Sequence, residues 1–484
     1  RQPGPWKTAT LQLEGCTWTT EVDDVFTKNL KSEERIPFHA GHGSLKVVEM
    51  SGFDLLILPL LLDEEVEDIS ELPIQVRNFL AELQDLNLDS LCIVALTSGG
   101  NGPESSGARN DGFGMPAAAP LRGMFRCFRL ENPEMPILHI DSDALSLPGK
   151  TTELEEQISN ELMMSPTTVQ ASTLTFLGRE VAYRKHRRFV PKLDICKVTS
   201  TRTTYHAMSM TRCVQVKGVA LITGGTGGLG ITTAEALVDS GVRHVVLCSR
   251  SGRVSADAPG QLAQRLEDLR KKATVTLEAC DAAQEDQVMA MLQKLRTSYG
   301  PLRWVVNAAG IVLPSDDADH LKAVFDPKCL SAWNLHRLTL EDDLEAMWFF
   351  SSFSGGIGAE GLYNYAAANT YLDELARMRR SLSLPAVSIQ FPEVEEAGMA
   401  AAYGLRGGSA TVNLATVRCA LQQLLDIKSS PVVALLPSGY LMARSVYHWL
   451  ALQPLEARRN KELWKQLERI EKENKEDRLL MLMD

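Results

Sequence analysis

The pattern of apolar and polar positions divides the chain in two. From Gly218 onward, short apolar runs alternate with amphipathic stretches at regular intervals. Apolar runs bounded by turn residues read as buried strands. Apolar positions recurring at helical spacing read as helices packed on them. The pattern predicts strands at 219–222, 244–248, 274–278, 303–307, 346–351 and 386–390. Helices are predicted between them at 229–240, 260–272, 284–298, 318–338 and 360–380. Such alternation gives an α/β fold with a doubly wound parallel sheet. The first 200 residues repeat the pattern loosely. Strands are predicted at 53–62, 91–96, 137–140 and 181–190, and helices at 74–86, 116–130 and 151–164. Residues 101–114, rich in Gly, Ser and Asn, predict a loop.

The organisation follows from these shifts. Residues 1–45 read as a leading segment or linker, 46–215 as one α/β unit, 216–450 as a second, and 451–484 as a charged C-terminal helix or linker. Thr/Ser-rich residues 197–215 form the connector. In the tail, Leu463, Leu467 and Ile470 share helical spacing. An oligomerisation or docking helix and a solvated linker helix both fit, because the heptads do not persist. The chain opens Arg-Gln-Pro-Gly without Met, which fits a piece of a longer polypeptide.

Composition narrows the class. A net charge of −11 without a basic stripe argues against nucleic-acid binding. Nine cysteines without a Cys-x-x-Cys pair point to reduced thiols and a cytoplasmic setting. The apolar run Phe53 to Leu62 is too short to span a bilayer. No His-Glu-x-x-His or Cys/His cluster offers a metal site.

The glycine run carries the chemistry. Thr223-Gly224-Gly225-Thr226-Gly227-Gly228-Leu229-Gly230 follows a predicted strand and opens a predicted helix. Glycines let the backbone approach a pyrophosphate, and the helix N-terminus offers free N–H groups and positive dipole character. A dinucleotide site is expected. Ser249-Arg250 ends the second strand, about twenty residues further on, where a reader of the ribose diol would be acidic. Arg250 instead suits a 2′-phosphate, which favours NADPH. Asp281 can hydrogen-bond the adenine or simply cap the next helix. Asn307-Ala308-Ala309-Gly310 ends the fourth strand, where small residues let the nicotinamide ribose pass.

A second constellation lies downstream. Ser352 ends a strand, where α/β sheets place ligands. Tyr365 and Asn369 are one helical turn apart and share a face. Two hydroxyls converging on a carbonyl can polarise and protonate it. A tyrosine hydroxyl, with a pKa of about 10, needs a nearby cation for easy proton transfer at neutral pH. Lys328, in Asp326-Pro327-Lys328, is the candidate.

Lys328, Ser352, Tyr365 and Asn369, with the flanks Trp333-Asn334-Leu335-His336-Arg337 and Tyr365 to Asp373, resemble the ketoreductase domains of modular polyketide synthases and animal-type fatty acid synthases. These belong to the short-chain dehydrogenase/reductase superfamily. In that family Lys and Asn exchange places relative to ordinary short-chain reductases. The glycine loop also fits the superfamily register Thr223-Gly224-x-x-x-Gly228-x-Gly230. Pro116 to Glu134 resembles the family's structural subdomain, a truncated Rossmann unit without a cofactor loop. The resemblance therefore implies two Rossmann-like units, an N-terminal structural subdomain and a C-terminal catalytic one, over roughly residues 46–450. It implies NADPH-dependent reduction of a β-ketoacyl thioester carried on the phosphopantetheine arm of an acyl carrier protein, beside neighbouring synthase domains. Tyr365 would donate the proton, Ser352 bind the developing oxyanion, Lys328 lower the Tyr365 pKa, and Asn369 hold Lys328 or a water. Residues 396–412 would form a mobile lid over the substrate.

The family's stereochemical markers differ. The stretch Ile311 to Asp317 lacks the Leu-Asp-Asp motif, and Ile357 stands where a diagnostic Trp would fall. Gln390-Phe391-Pro392 replaces the usual Trp-Gly before the lid. Two alternatives stay open at this point: a free-standing short-chain dehydrogenase, and a silent or epimerising ketoreductase-like domain.

Overall fold

The computed structural model describes residues 91–98, 118–132, 137–146, 151–163, 180–191, 218–254, 261–313, 318–395, 411–424 and 430–436, with shorter stretches at 7–11, 45–50, 53–59, parts of 73–80, 116, 194–196 and 480–483. The α/β class holds throughout. Strands β1 Lys7–Leu11, β2 Leu45–Met50, β3 Phe53–Pro59, β4 Leu91–Thr97, β5 Ile137–Ser142, β6 Glu180–Arg184 and β7 Arg187–Phe189 form one sheet in sequential order. Its inner strands β3 to β6 run parallel. The expected single strand at 181–190 is instead a hairpin. Lys185 and His186 lie consecutively at φ 50° and 65°. Two left-handed residues make the tight turn that matches strand twist.

The second sheet is built from β8 Asp194–Cys196, β9 Val219–Thr223, β10 His244–Ser249, β11 Thr274–Ala279, β12 Leu302–Asn307, β13 Ala346–Ser352, β14 Val387–Phe391, β17 Val432–Leu436 and β18 Leu480–Met483. Its order is β11-β10-β9-β12-β13-β14-β17-β18-β8. A small ribbon, β15 Glu393–Val394 and β16 Thr411–Val412, lies apart. The order reverses direction between β9 and β12, and this switch point places a crevice at the carboxyl ends of the strands. β18 pairs antiparallel with β17, so the end of the chain is extended rather than helical. The rest of the predicted tail helix and most of the lid lie outside the described residues.

The helices are α1 Ala119–Glu131, α2 Thr151–Met163, α3 Gly228–Asp239, α4 Leu262–Arg270, α5 Glu285–Ser298, α6 Ala318–Phe325, α7 Ser331–Leu338, α8 Phe353–Ile357, α9 Tyr363–Ser381 and α10 Leu414–Leu424. The helix expected over 318–338 is interrupted. A π-helical turn, Asp326–Leu330, separates α6 from α7. Pro327 has no N–H to continue the regular ladder, and single π turns inside helices frequently mark functional sites. The helix expected from 360 begins at Tyr363, because Gly358 and Gly361 take φ 82° and 70° and break the chain before it.

Alternation along the buried strands feeds two apolar layers. Val219, Leu221, Val305, Met347 and Phe349 face one, and Ala220, Ile222, Val306, Trp348 and Phe350 face the other. The first layer continues without a break into the N-terminal unit through Ile93, Phe125 and Phe128. α1 and α9 meet there. A Cβ on Gly123 would lie 2.4 Å from the Ala366 carbonyl oxygen, so only glycine allows the two backbones this close. The small residues Ala366, Ala367 and Ala368 are fully buried at this crossing.

A charged cluster closes the same interface. Burial alone would raise the Glu180 carboxyl. Arg126 and Arg129 overcome it and hold the group well below the usual carboxylate range. Arg126 donates two hydrogen bonds to Glu180, at 2.7 and 2.6 Å, and Arg129 one at 2.8 Å. A buried carboxylate with that much compensation is costly to strip of its partners.

Candidate active site

Thr223 to Gly230 lies between β9 and α3, as its sequence requires. Gly224 has φ +63°, and a Cβ there would sit 2.7 Å from the Ala308 oxygen. A Cβ on Gly230 would meet the Gly224 oxygen at 2.4 Å. These glycines fold the loop onto itself and onto the end of β12. Gly227 has a different part. It is exposed and precedes α3 without a capping side chain. The first N–H groups of α3 are thereby left for an anion. Thr226, Gly228 and Leu229 are half-buried around it. The Gly225 N–H donates to the Cys248 carbonyl at 3.0 Å, tying the loop to β10.

Arg250 is exposed just past β10, in the turn where the Ser249 hydroxyl accepts the Gly252 N–H at 3.1 Å. Asp281 accepts the Ala283 N–H at 3.1 Å, so its carboxylate serves the turn before α5. It does not cap that helix, whose N-cap position is Gln284, with no side-chain cap.

Asn307 is fully buried and organises the centre. Its Oδ1 accepts hydrogen bonds from Thr223 and Ser331, both at 2.7 Å. Its Nδ2 donates to the Lys328 carbonyl at 3.0 Å. The strand that leads into the glycine loop and the π turn holding Lys328 are therefore pinned through one amide. Ala308, Ala309 and Gly310 continue half-buried from it. Gly310 has a reason of its own: a Cβ there would sit 2.8 Å from Lys328 Cε.

The four separated residues converge. Lys328 Nζ donates to Asn369 Oδ1 at 2.9 Å and to the Phe350 carbonyl at 2.8 Å. It lies 5.0 Å from the centroid of the Tyr365 ring. Asn369 Nδ2 donates to the Tyr365 carbonyl at 2.7 Å, which fixes the amide's orientation and points its oxygen at the lysine. Ser352 caps α8, its hydroxyl accepting the Ser354 N–H at 3.3 Å. Burial lowers the Lys328 ammonium to about 8. Burial pushes the Tyr365 hydroxyl up to about 12, against hydrogen bonding from Asn369 and Ser352 that pulls it down. Sequence reading had no signal for the Phe350 carbonyl or for Asn307 as a clamp on Lys328. Asn364 was missed as well: its Oδ1 accepts the Tyr365 N–H at 2.6 Å, and its Nδ2 donates to the Leu313 carbonyl at 3.0 Å.

Comparison with known proteins gives the domain its family. The family model described as "KR domain" matches residues 218–396. The solved "Structure of A1-type ketoreductase" is 27% identical, with a TM-score of 0.56 over 76% of this chain and 72% of that one. The chain carries a ketoreductase domain of the modular polyketide synthase family. "The first ketoreductase of the tylosin PKS" is 26% identical to this ketoreductase, with a TM-score of 0.56 over 78% of the chain and 77% of its own. Among curated proteins, Polyketide synthase GfsB of Streptomyces halstedii is 42% identical over 186 residues, 37% of this chain and 3% of the relative. Phenolphthiocerol synthesis polyketide synthase type I Pks15/1 of Mycobacterium marinum is 39% identical over 188 residues, 38% of this chain and 9% of the relative. The chain thus spans a small fraction of these synthases. Among the described residues no helix is long and apolar enough to cross a membrane, and no three His, Cys, Asp or Glu side chains gather as a metal site would need.

Proposed function

We propose that this ketoreductase reduces a β-ketoacyl thioester, tethered to an acyl carrier protein, to the β-hydroxyacyl thioester with NADPH. The observation that carries the proposal is the 2.9 Å bond from Lys328 to Asn369 beside the Tyr365 ring, at the carboxyl end of the sheet. Residues 46–215 act as the structural unit and 216–450 as the catalytic one. Residues 1–45 and 451–484 serve as links toward neighbouring synthase domains, in the cytoplasm.

The residues present fit the cofactor. The uncapped α3 N-terminus and Gly227 take the pyrophosphate, and Arg250 takes the 2′-phosphate. Bound NADPH supplies the hydride for the β-carbon of the ketone. Tyr365 gives its phenolic proton to the carbonyl oxygen as that oxygen gains electrons. Ser352 donates a hydrogen bond to the same oxygen, a fixed dipole aimed at developing charge. Lys328 faces the Tyr365 ring as a cation and stabilises the tyrosinate left behind. Asn369 holds the Lys328 ammonium toward Tyr365 and keeps it from turning into the core.

The test is NADPH oxidation, followed by absorbance, with a simple β-ketoacyl thioester or a bulky cyclic ketone. Turnover supports the reading. NADPH binding without turnover on either substrate points to a silent domain. Arg250→Ala is expected to weaken NADPH by on the order of tenfold to a hundredfold, the loss of one charge-assisted phosphate contact, and NADH by little. Equal loss for both dinucleotides would remove Arg250 from the 2′-phosphate.

A further inference from the structure

The two hydroxyls of the site, Ser352 and Tyr365, are joined by an irregular connection that runs through α8, Gly358 and Gly361. Three side chains of α1, in the other unit, hold this connection with four hydrogen bonds. Arg126 donates to the Gly355 carbonyl. Cys127 Sγ accepts the Ala359 N–H at 3.4 Å. Glu131 Oε1 accepts the Gly361 N–H at 2.6 Å, and its Oε2 accepts the Tyr363 hydroxyl at 2.7 Å. The fit leaves no slack, since a Cβ on Gly358 would lie 2.7 Å from the Arg126 backbone. Arg77 also stacks over the Tyr363 ring, 4.9 Å from its centroid.

We infer that Glu131 is a positioning residue for reduction: its carboxylate, through Gly361 and Tyr363, sets where Tyr365 stands relative to Ser352. The inference rests on the ketoreductase reading above. The physical case is one of leverage. Tyr363 lies two residues before Tyr365 and opens α9, and the two left-handed glycines before it carry no side chains to hold the chain. Each carboxylate oxygen takes one donor, so a single rigid group fixes both the Gly361 amide and the Tyr363 ring that opens the helix. Arg126 anchors the other end of the same span, and Glu180 holds Arg126 in turn. Neither Glu131 nor Tyr363 borders the glycine loop. The effect therefore falls on the chemical step and not on dinucleotide binding.

Glu131→Ala is expected to lower kcat by on the order of tenfold to a hundredfold, the usual cost of misplacing a reacting group by about 1 Å. The NADPH dissociation constant should stay unchanged. Hydrogen exchange at the Gly361 amide should rise. Glu131→Gln keeps an acceptor for Gly361 N–H and should recover most of the rate, and Tyr363→Phe should fall between the two. An unaltered kcat in Glu131→Ala overturns the inference. So does a loss of rate that Gln does not rescue and that NADPH affinity and melting temperature share in proportion, because that marks a role in folding alone. A wild-type protein that binds NADPH and reduces neither ketone would instead overturn the functional reading itself.

Discussion

Replacing Tyr365 by Phe is expected to reduce ketone turnover on the order of a thousandfold and to leave NADPH affinity within a factor of about two. The phenyl ring keeps the packing, since Tyr365 is buried in the apolar layer shared by both units. Only the proton is lost. Without it the developing alkoxide must take a proton from water, in a pocket where water is a weaker acid than a lysine-paired phenol. Two controls separate chemistry from folding. NADPH titration by fluorescence should be unchanged, and the melting temperature should be unchanged or higher, because the variant no longer buries a polar hydroxyl in an apolar layer. Turnover within tenfold of wild type would remove Tyr365 from the proton-donating role. Ser352→Ala should cost less, because Tyr365 still donates when one dipole is gone.

Much of this site was legible in the sequence. The glycine loop is a local pattern, the alternation after Gly218 is a regular one, and the Lys328–Ser352–Tyr365–Asn369 set stood out by its spacing and flanks through resemblance to a known family. What could not be read was anything created by two distant stretches meeting. Asn307 as a clamp on Lys328 depends on β12 lying beside the π turn, 21 residues away. Gly310 reads as a generic small residue until Lys328 Cε is seen against it. The same limit hid α1. Glu131 is one of many acidic residues, and nothing near it says that its partners lie 230 and 232 residues further on. The π turn is an intermediate case. Pro327 announced a disturbance within a helical pattern, yet whether the helix would end, kink or widen depended on Asn307 accepting Ser331 and donating to Lys328.

Lys328→Met is expected to lower turnover on the order of a hundredfold at pH 7, and, more tellingly, to remove an alkaline limb from the pH–rate profile. In the wild type that limb should have its midpoint near the lysine's own titration, which burial lowers to about 8. The sign follows from the chemistry. Below that pH the ammonium is charged and helps Tyr365 release its proton. Above it the amine is neutral and that help is lost, while burial still opposes ionising the phenol. Stability moves the opposite way to rate. The folded state holds this proton less tightly than the unfolded chain, where it has its ordinary value of 10.5, so the charge opposes folding most below about 8 and is relieved as pH rises toward 10.5. A profile measured from pH 6 to 9.5 on wild type and Lys328→Met decides the matter. A limb that persists unchanged in the variant would assign the titration to another group and leave Lys328 a packing role only.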